Sequence, residues 1–282
     1  MDIATEIYNC ARASELIYGA RDGSEDRVFC EESIAKMGFL RPSWISMETA
    51  ITEIRAVAAT SQDCHLLVFR GTKDRKDWIT DLTSSPSPFE NIFPGVQVPG
   101  RIHTGFGNCL AVGMDDLKRA MLLMARSKPK KPLLITGHSL GGALAALAGA
   151  YFTVAGVEVP QISRIYTFGQ PRIGLHDFCE TYGRILSGKL VRFVNNKDLV
   201  PRVPLTGSDY CDHGMMIHFN ASGHAEVEGA EWKSFVGRIV QSAEEVIEMM
   251  ANLGFDVGDH SMAQYRMLVQ ANKAKLSELI QI

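Results

Sequence analysis

Residues 132–152 read PLLITGHSLGGALAALAGAYF and predict a strand, a sharp turn and a helix. The apolar run at 133–136 has the length of a buried parallel strand. Residues 140–152 are rich in alanine and leucine, so a helix there can lie close against a sheet. Ser139 stands between the two elements with a glycine on either side of it at a distance of two residues. Such glycines let the backbone turn without clashes, and the turn exposes the serine hydroxyl.

Periodicity along the rest of the chain predicts further helices and strands. The predicted helices cover residues 3–18, 110–126 and 230–253, and the predicted strands residues 54–59, 65–70, 162–168 and 189–194. Repetition of strand and helix indicates an α/β fold with a mostly parallel central sheet and helices on both faces. Residues 83–100 contain four prolines, whose missing N–H donors argue against regular structure, so we expect a long surface loop there.

Length, composition and charge limit the kinds of protein that this chain can be. The 282 residues are 46% hydrophobic, and we find no linker, so we expect one domain over 1–282. A net charge of −3 without runs of like charge makes nucleic-acid binding unexpected. We expect no integral membrane segment and, since no signal peptide is visible, a cytoplasmic protein; secretion is the alternative if a signal was removed or export is leaderless. The six cysteines lack a C-x-x-C pair, which favours thiols.

A serine nucleophile needs a histidine base that is itself oriented by a carboxylate. On a strand-turn-helix site of this kind, the order along the chain is serine, acid, histidine. Asp198 follows the strand predicted at 189–194, and catalytic groups collect at such strand ends. We rank it above three competing acids on less clearly strand-terminal segments. These acids are Asp177, Asp209 and Asp212.

The same order leaves two main candidates for the base. His260 lies on a loop just before a helical pattern, and His213 is its rival. The spread of His213, His218 and His224 raises metal binding as a minor alternative, but no carboxylate or thiol cluster stands at ligand spacing. We therefore expect neither a metal nor a cofactor.

Several motifs recur in one order over roughly residues 50 to 270, and together they are specific. They are Phe69-Arg70-Gly71-Thr72, Asp77-Trp78-Ile79-Thr80-Asp81-Leu82, His103-Thr104-Gly105-Phe106, Gly137-His138-Ser139-Leu140-Gly141-Gly142, Thr167-Phe168-Gly169-Gln170-Pro171-Arg172, Asn196-Lys197-Asp198-Leu199-Val200-Pro201 and Asp259-His260. With these motifs the chain resembles the class 3, or fungal-type, triacylglycerol lipase family, which has the α/β-hydrolase fold.

The resemblance implies roles for individual residues. Ser139, Asp198 and His260 match the catalytic triad. Thr72 and Leu140 match the oxyanion hole, where losing one donor typically costs about 10² to 10³ in rate. Three further residues match positions around the site: Asp81, which helps to hold the oxyanion residue, and His103 and His213, for which packing and hydrogen bonding are the safer interpretation.

The resemblance also implies a lid, here near residues 73–100. Its first part is heavily charged, with Trp78 and Ile79 as the large apolar side chains. That polarity argues against strong activation at a lipid surface and favours soluble short or medium acyl esters. The apolar residues further along either extend an acyl groove or anchor the loop to the core. They are Phe89, Ile92 and Phe93.

We therefore expect a carboxylic ester hydrolase, a lipase acting on acylglycerols or on short and medium esters through an acyl-enzyme, with transient contact to a lipid interface. A phospholipase, feruloyl esterase or acyltransferase on the same triad remains an alternative, because the fold and triad fix neither the acyl group nor the acceptor. A catalytically silent binding protein is the alternative from another class.

Overall fold

The structure, a computed structural model, describes residues 1–19, 24–48, 53–71, 85–186, 188–204, 209–228 and 258–280. Within these residues eight strands form one sheet in the order β1-β2-β3-β6-β7-β8-β9-β10, and β4 pairs with β5 in a small second sheet. The strands are β1 (Leu40–Glu48), β2 (Glu53–Thr60), β3 (His65–Phe69), β4 (Pro86–Pro88), β5 (Arg101–His103), β6 (Leu133–His138), β7 (Ile162–Phe168), β8 (Leu190–Asn195), β9 (Met215–Phe219) and β10 (Ala225–Val227).

The middle of the large sheet is parallel. β3, β6, β7, β8 and β9 pair in parallel, whereas β1, β2 and β10 join antiparallel at the two edges. In the register between β3 and β6, Phe69 lies beside Gly137, and in that between β7 and β8, Phe168 lies beside Phe193. The carboxyl ends of these strands consequently meet at one edge of the sheet, where α/β proteins place their sites.

Helices cover both faces of the sheet, as the sequence predicts. They are α1 (Ile3–Leu16), α2 (Ser24–Lys36), α3 (Phe89–Ile92), α4 (Thr104–Val112), α5 (Met114–Arg126), α6 (Leu140–Val154), α7 (His176–Ile185), α8 (Met262–Ala271) and α9 (Lys273–Leu279). Alternation along β3 separates two cores: Leu67 and Phe69 pack with α4 to α7, and Leu66 and Val68 with α1, α2, α8 and α9. The α/β-hydrolase architecture is confirmed.

Two predicted elements need correction. Residues 83–100 are not an irregular surface loop throughout, because they contain β4 and α3, with Phe89 and Phe93 buried in the core. Prolines fit β4 since it pairs on one side only, with β5. The helix predicted over 110–126 is in fact two helices, α4 and α5, which separate at Gly113. The helix predicted over 230–253 lies outside the described residues.

The cysteines also differ from expectation. Cys179 of α7 and Cys211 form a disulfide across 32 residues of sequence. Only the tertiary fold brings the two together, so no local spacing could indicate the pair. Cys10, Cys30 and Cys64 are buried thiols. In the part of the chain that the structure describes, no helix has both the length and the apolar character needed to cross a membrane.

Candidate active site

Ser139 sits at the turn between β6 and α6 with φ +58° and ψ −130°. This is a strained conformation for a residue with a side chain, and such strain is typical of a nucleophile elbow. Close packing on either side of the turn excludes side chains. A Cβ on Gly137 would collide with the backbone of Gly141, and one on Gly141 would collide with the backbone of Phe69. The two glycines therefore permit the turn that projects Ser139.

Three side chains form a hydrogen-bonded relay at this turn. Ser139 Oγ lies 3.0 Å from His260 Nε2, and His260 Nδ1 lies 2.7 Å from Asp198 Oδ2. A carboxylate accepts, so Nδ1 carries the proton and Nε2 of the neutral ring accepts from the serine hydroxyl. All three residues are buried, with Ser139 9% exposed. The geometry places a base within reach of the serine proton and a carboxylate behind the base.

Asp198 receives two further hydrogen bonds. The Val200 N–H donates to Oδ1 over 3.0 Å, and the Tyr265 hydroxyl donates to Oδ2 over 2.7 Å. The same hydroxyl accepts from the Asn195 N–H at 3.0 Å. Burial, followed by the nearby Asp198 charge, raises the pKa of Tyr265 well above its ordinary value, so the hydroxyl remains a donor. Sequence reasoning missed Tyr265, since nothing in its local pattern indicates a contact 67 residues back along the chain.

The short turn that carries His260 is tied to the end of β8. The Asn195 side-chain amide donates to the Asp259 carbonyl oxygen over 2.9 Å. The Asn196 side-chain amide and the Lys197 N–H donate to the Asp259 carboxylate over 3.0 and 3.2 Å. Because Asp198 follows these residues directly, the base and its carboxylate are positioned by one set of contacts.

Gly169 packs against the relay from β7. It has φ +56°, and a Cβ there would lie 2.8 Å from both Asp198 Oδ2 and His260 Cε1. Only glycine combines that backbone angle with such a close approach. The family motif around residue 169 thus has a steric reason in this chain.

The first turn of α6 faces the nucleophile. Leu140 begins this helix and is buried, and N–H groups in a first turn have no acceptor inside the helix. They provide positive potential beside Ser139, which suits an oxyanion. Gly71 leads from β3 towards Thr72, but Thr72 and Asp81 lie outside the described residues.

The structure places His103 and His213 in packing environments. His103 caps α4 by accepting from the Phe106 N–H, and its ring stacks on that of Phe106. His213 Nδ1 lies 3.7 Å from Cys179 Sγ, and its ring meets Tyr182 edge-on. Burial, reinforced by the positive charge of Arg192, lowers the pKa of His213 to about 3. Neither histidine has a described hydrogen bond to the triad.

The competing acid Asp212 belongs to a separate charge cluster. Arg172, Arg192 and Arg202 all donate to its carboxylate over 3.2 to 3.3 Å. Burial opposes ionisation of Asp212, but the three arginines outweigh it and lower its pKa to about 2. The carboxylate is thus committed to guanidinium groups. Within the described residues, no group of three or more histidine, cysteine or acidic side chains could hold a metal ion.

Of the apolar lid and groove candidates, Trp78 and Ile79 lie outside the described residues. Phe89 stacks with Phe178, and its ring centroid is 4.7 Å from that of Phe93. Ile92 is partly buried and packs against the core that contains Leu67 and Phe69. The contacts described for Phe89, Ile92 and Phe93 are those of residues that anchor their segment to the core.

Comparisons with known proteins point to one family. The family model "Lipase (class 3)" matches residues 66–208. A lipase of Rhizomucor miehei is 32% identical over 160 residues, which cover 55% of this chain and 42% of that protein. The secreted mono- and diacylglycerol lipase MDL5 of Malassezia globosa is 26% identical over 174 residues, covering 62% and 52%. The chain thus spans about half the length of the curated relatives it matches.

Solved structures share the fold. Lip2 lipase from Yarrowia lipolytica superposes with a TM-score of 0.63 at 21% identity and covers 76% of this chain and 77% of that one. The family match includes most of β3, the turn at Ser139, Gly169 and Asp198, and it extends over more than half of the 282 residues. This chain belongs to the class 3 lipase family.

Proposed function

We propose that the chain is a serine-dependent carboxylic ester hydrolase that acts on acylglycerols through an acyl-enzyme. The observation that carries the proposal is the continuous Ser139-His260-Asp198 relay, with contacts of 3.0 and 2.7 Å, at a strained strand-to-helix turn. Each member has the residue type and the hydrogen-bond role that acyl transfer requires.

In the first half of the reaction, His260 Nε2 takes the proton from Ser139 Oγ while the oxygen attacks the ester carbonyl carbon. Asp198 stabilises the positive imidazolium that forms, and its own orientation is kept by Val200 and Tyr265. The tetrahedral intermediate collapses when the carbon–oxygen bond to the alcohol breaks. His260 then returns the proton to the departing alcohol.

The negative oxygen of the intermediate needs preorganised donors. We assign this role to the backbone N–H of Leu140, at the start of α6, and to Thr72. In the second half of the reaction, His260 deprotonates water, which attacks the acyl carbon. The bond between that carbon and Ser139 Oγ then breaks, His260 returns the proton to Ser139 Oγ, and the carboxylic acid is released. Asp81 is proposed to support Thr72 from behind. The chemistry requires no cofactor.

The substrates, partners and location extend this proposal. Relatives named mono- and diacylglycerol lipases support an acylglycerol substrate met at a lipid interface. On this single domain we place the lid within residues 73–85, ahead of the segment that Phe89 and Phe93 anchor to the core. The same relatives are named secreted. The Cys179–Cys211 disulfide suits an oxidising compartment. We therefore favour an extracellular location over the cytoplasmic one expected from the sequence.

The test is hydrolysis of p-nitrophenyl esters from acetate to palmitate, and of mono-, di- and triacylglycerols, below and above their solubility limits. We expect turnover that disappears in Ser139→Ala. A matched control is Ser222→Ala, because Ser222 lies exposed in a turn before β10. A jump in rate at the solubility limit would support the lid.

Two results would contradict the proposal. One is turnover that survives in Ser139→Ala. The other is a folded wild-type protein that hydrolyses no ester or acylglycerol, which would favour a silent binding protein. Transfer of the acyl group to an added alcohol in preference to water would instead identify an acyltransferase.

A further inference from the structure

His138, the residue before the nucleophile, contacts the backbone of the catalytic histidine. Its Nε2 lies 2.8 Å from the carbonyl oxygen of His260, and the two rings are 4.6 Å apart. A carbonyl oxygen only accepts, so Nε2 must carry the ring proton. In the neutral ring the other nitrogen, Nδ1, is therefore an acceptor.

Tyr18 occupies the place of the required donor. Its hydroxyl lies 2.9 Å from His138 Nδ1 and 3.3 Å from the His138 carbonyl oxygen. The tyrosine hydroxyl can donate to Nδ1, and this contact favours the tautomer that serves His260. Tyr18 comes from the turn that follows α1, 120 residues away in sequence.

The same hydroxyl lies against the strand that leads to Thr72. A Cβ on Gly71 would overlap the Tyr18 oxygen and come within 2.9 Å of the His138 carbonyl oxygen. The Tyr18 hydroxyl therefore lies next to Gly71 after β3 and next to His138 at the end of β6. Through His138 it is also connected to the turn that carries His260.

Helix α1, which ends two residues before Tyr18, is itself anchored to β6 and to α8. Ser14 Oγ and Thr136 Oγ1 form a buried hydrogen bond of 3.1 Å between α1 and β6. Glu15 forms an ion pair of 2.8 Å with Arg266 of α8, the helix that follows His260. These contacts fix the position of Tyr18 relative to β6, which leads to Ser139, and to α8, which follows His260.

We propose that His138 is a positioning residue that acts through the backbone carbonyl of His260, and that Tyr18 keeps His138 in the tautomer this task requires. The inference rests on the proposed esterase function. Through these two contacts, the turn after α1 helps to set the position of the His260 ring.

The test compares kcat, KM and thermal stability on a dissolved short-chain ester. Tyr18→Phe removes the donor, and we expect kcat to fall about tenfold with KM within about twofold, the scale of one lost oriented hydrogen bond. His138→Leu removes both contacts and should lower kcat further than Tyr18→Phe does. His138→Gln restores an N–H for His260 and an oxygen for Tyr18, so it should recover most of the activity. Tyr8→Phe is the matched control, because Tyr8 lies in α1, just before the turn of Tyr18, and its ring packs under Lys273.

A spectroscopic reading separates positioning from stability. In the wild-type protein, ¹⁵N shifts of the His138 ring should show the proton on Nε2, and the proton between His260 Nδ1 and Asp198 should give a downfield resonance. That resonance should broaden or shift in Tyr18→Phe and stay unchanged in Tyr8→Phe.

The proposal is overturned by a kcat within about twofold of wild type in Tyr18→Phe. It is equally overturned by a His138 proton on Nδ1, or by an unchanged downfield resonance in Tyr18→Phe. If His138→Leu does not fold, Tyr18→Phe and His138→Gln still decide the question. A wild-type protein without Ser139-dependent turnover would defeat the proposed function, while the two spectroscopic readings would still test the positioning.

Discussion

Replacing Tyr265 by phenylalanine tests whether the buried triad carboxylate depends on a neutral donor. The side chain is fully buried, and its hydroxyl both donates to Asp198 and accepts from the Asn195 N–H. A hydrogen bond to a charged group contributes about 1.5 to 3 kcal/mol, and an unpaired buried N–H costs about 1 to 3 kcal/mol. Both contributions belong to the same hydroxyl, so they do not add in full. We expect Tyr265→Phe to lower the free energy of unfolding by about 3 kcal/mol.

The assay is urea unfolding, and the chain offers a close control. Tyr182 is equally buried, but its hydroxyl donates to a neutral acceptor, the carbonyl oxygen of Ala146, over 2.8 Å. Tyr182→Phe should therefore cost only about 1 kcal/mol. For Tyr265→Phe the urea midpoint should fall by about 1 M, at a slope of about 3 kcal/mol/M. Equal losses in the two variants would refute the argument, because they would show that the Asp198 charge adds nothing.

Three further predictions concern the relay and its surroundings. Asp198→Asn should lower kcat on a soluble ester about 10⁴-fold, because an amide no longer fixes the tautomer of His260; a loss below about tenfold would contradict the assigned role. Gly169→Ala should lower kcat about 100-fold by displacing the relay, whereas Gly156→Ala, also at positive φ but with open space around it, should leave kcat unchanged. His213→Gln should reduce the loss of unfolding free energy that occurs as the pH falls from 7 to 5. Unfolded His213 takes up a proton below its ordinary pKa of 6.5 and the folded residue only near pKa 3, so wild type should lose about 2 kcal/mol more than the variant between pH 7 and 5, measured by urea unfolding.

Four of the five parallel strands, β3, β6, β7 and β8, were predictable because most of their residues are buried, whereas β9 was not predicted from the sequence. β6 appears in the sequence as a short apolar run and β7 and β8 as two further strand candidates, and the structure confirms all three. β1 was missed since its start departs from a regular strand. Arg41 has φ +55°, Pro42 lacks an N–H, and the register with β2 shifts between Leu40 and Ser43. Such irregularities at an edge hide the period of two.

The residues of the candidate site also fall into those that the sequence could identify and those that it could not. Ser139, Asp198 and His260 could be ranked because the chemistry fixes their residue types and the fold fixes their order. Tyr265 and Tyr18 could not be ranked, since a tyrosine within a helical pattern usually packs against the core. Their roles arise from contacts across 67 and 120 residues of sequence, which only the folded backbone brings together.

The contacts around His260 connect the base to the two strands that lead to the nucleophile and the carboxylate. Asp259 is tied to the end of β8 by Asn195, Asn196 and Lys197, and the His260 carbonyl is tied to His138. All four partners lie at the carboxyl ends of β6 and β8, the strands that carry the nucleophile and the carboxylate. The position of the base is therefore set from the sheet.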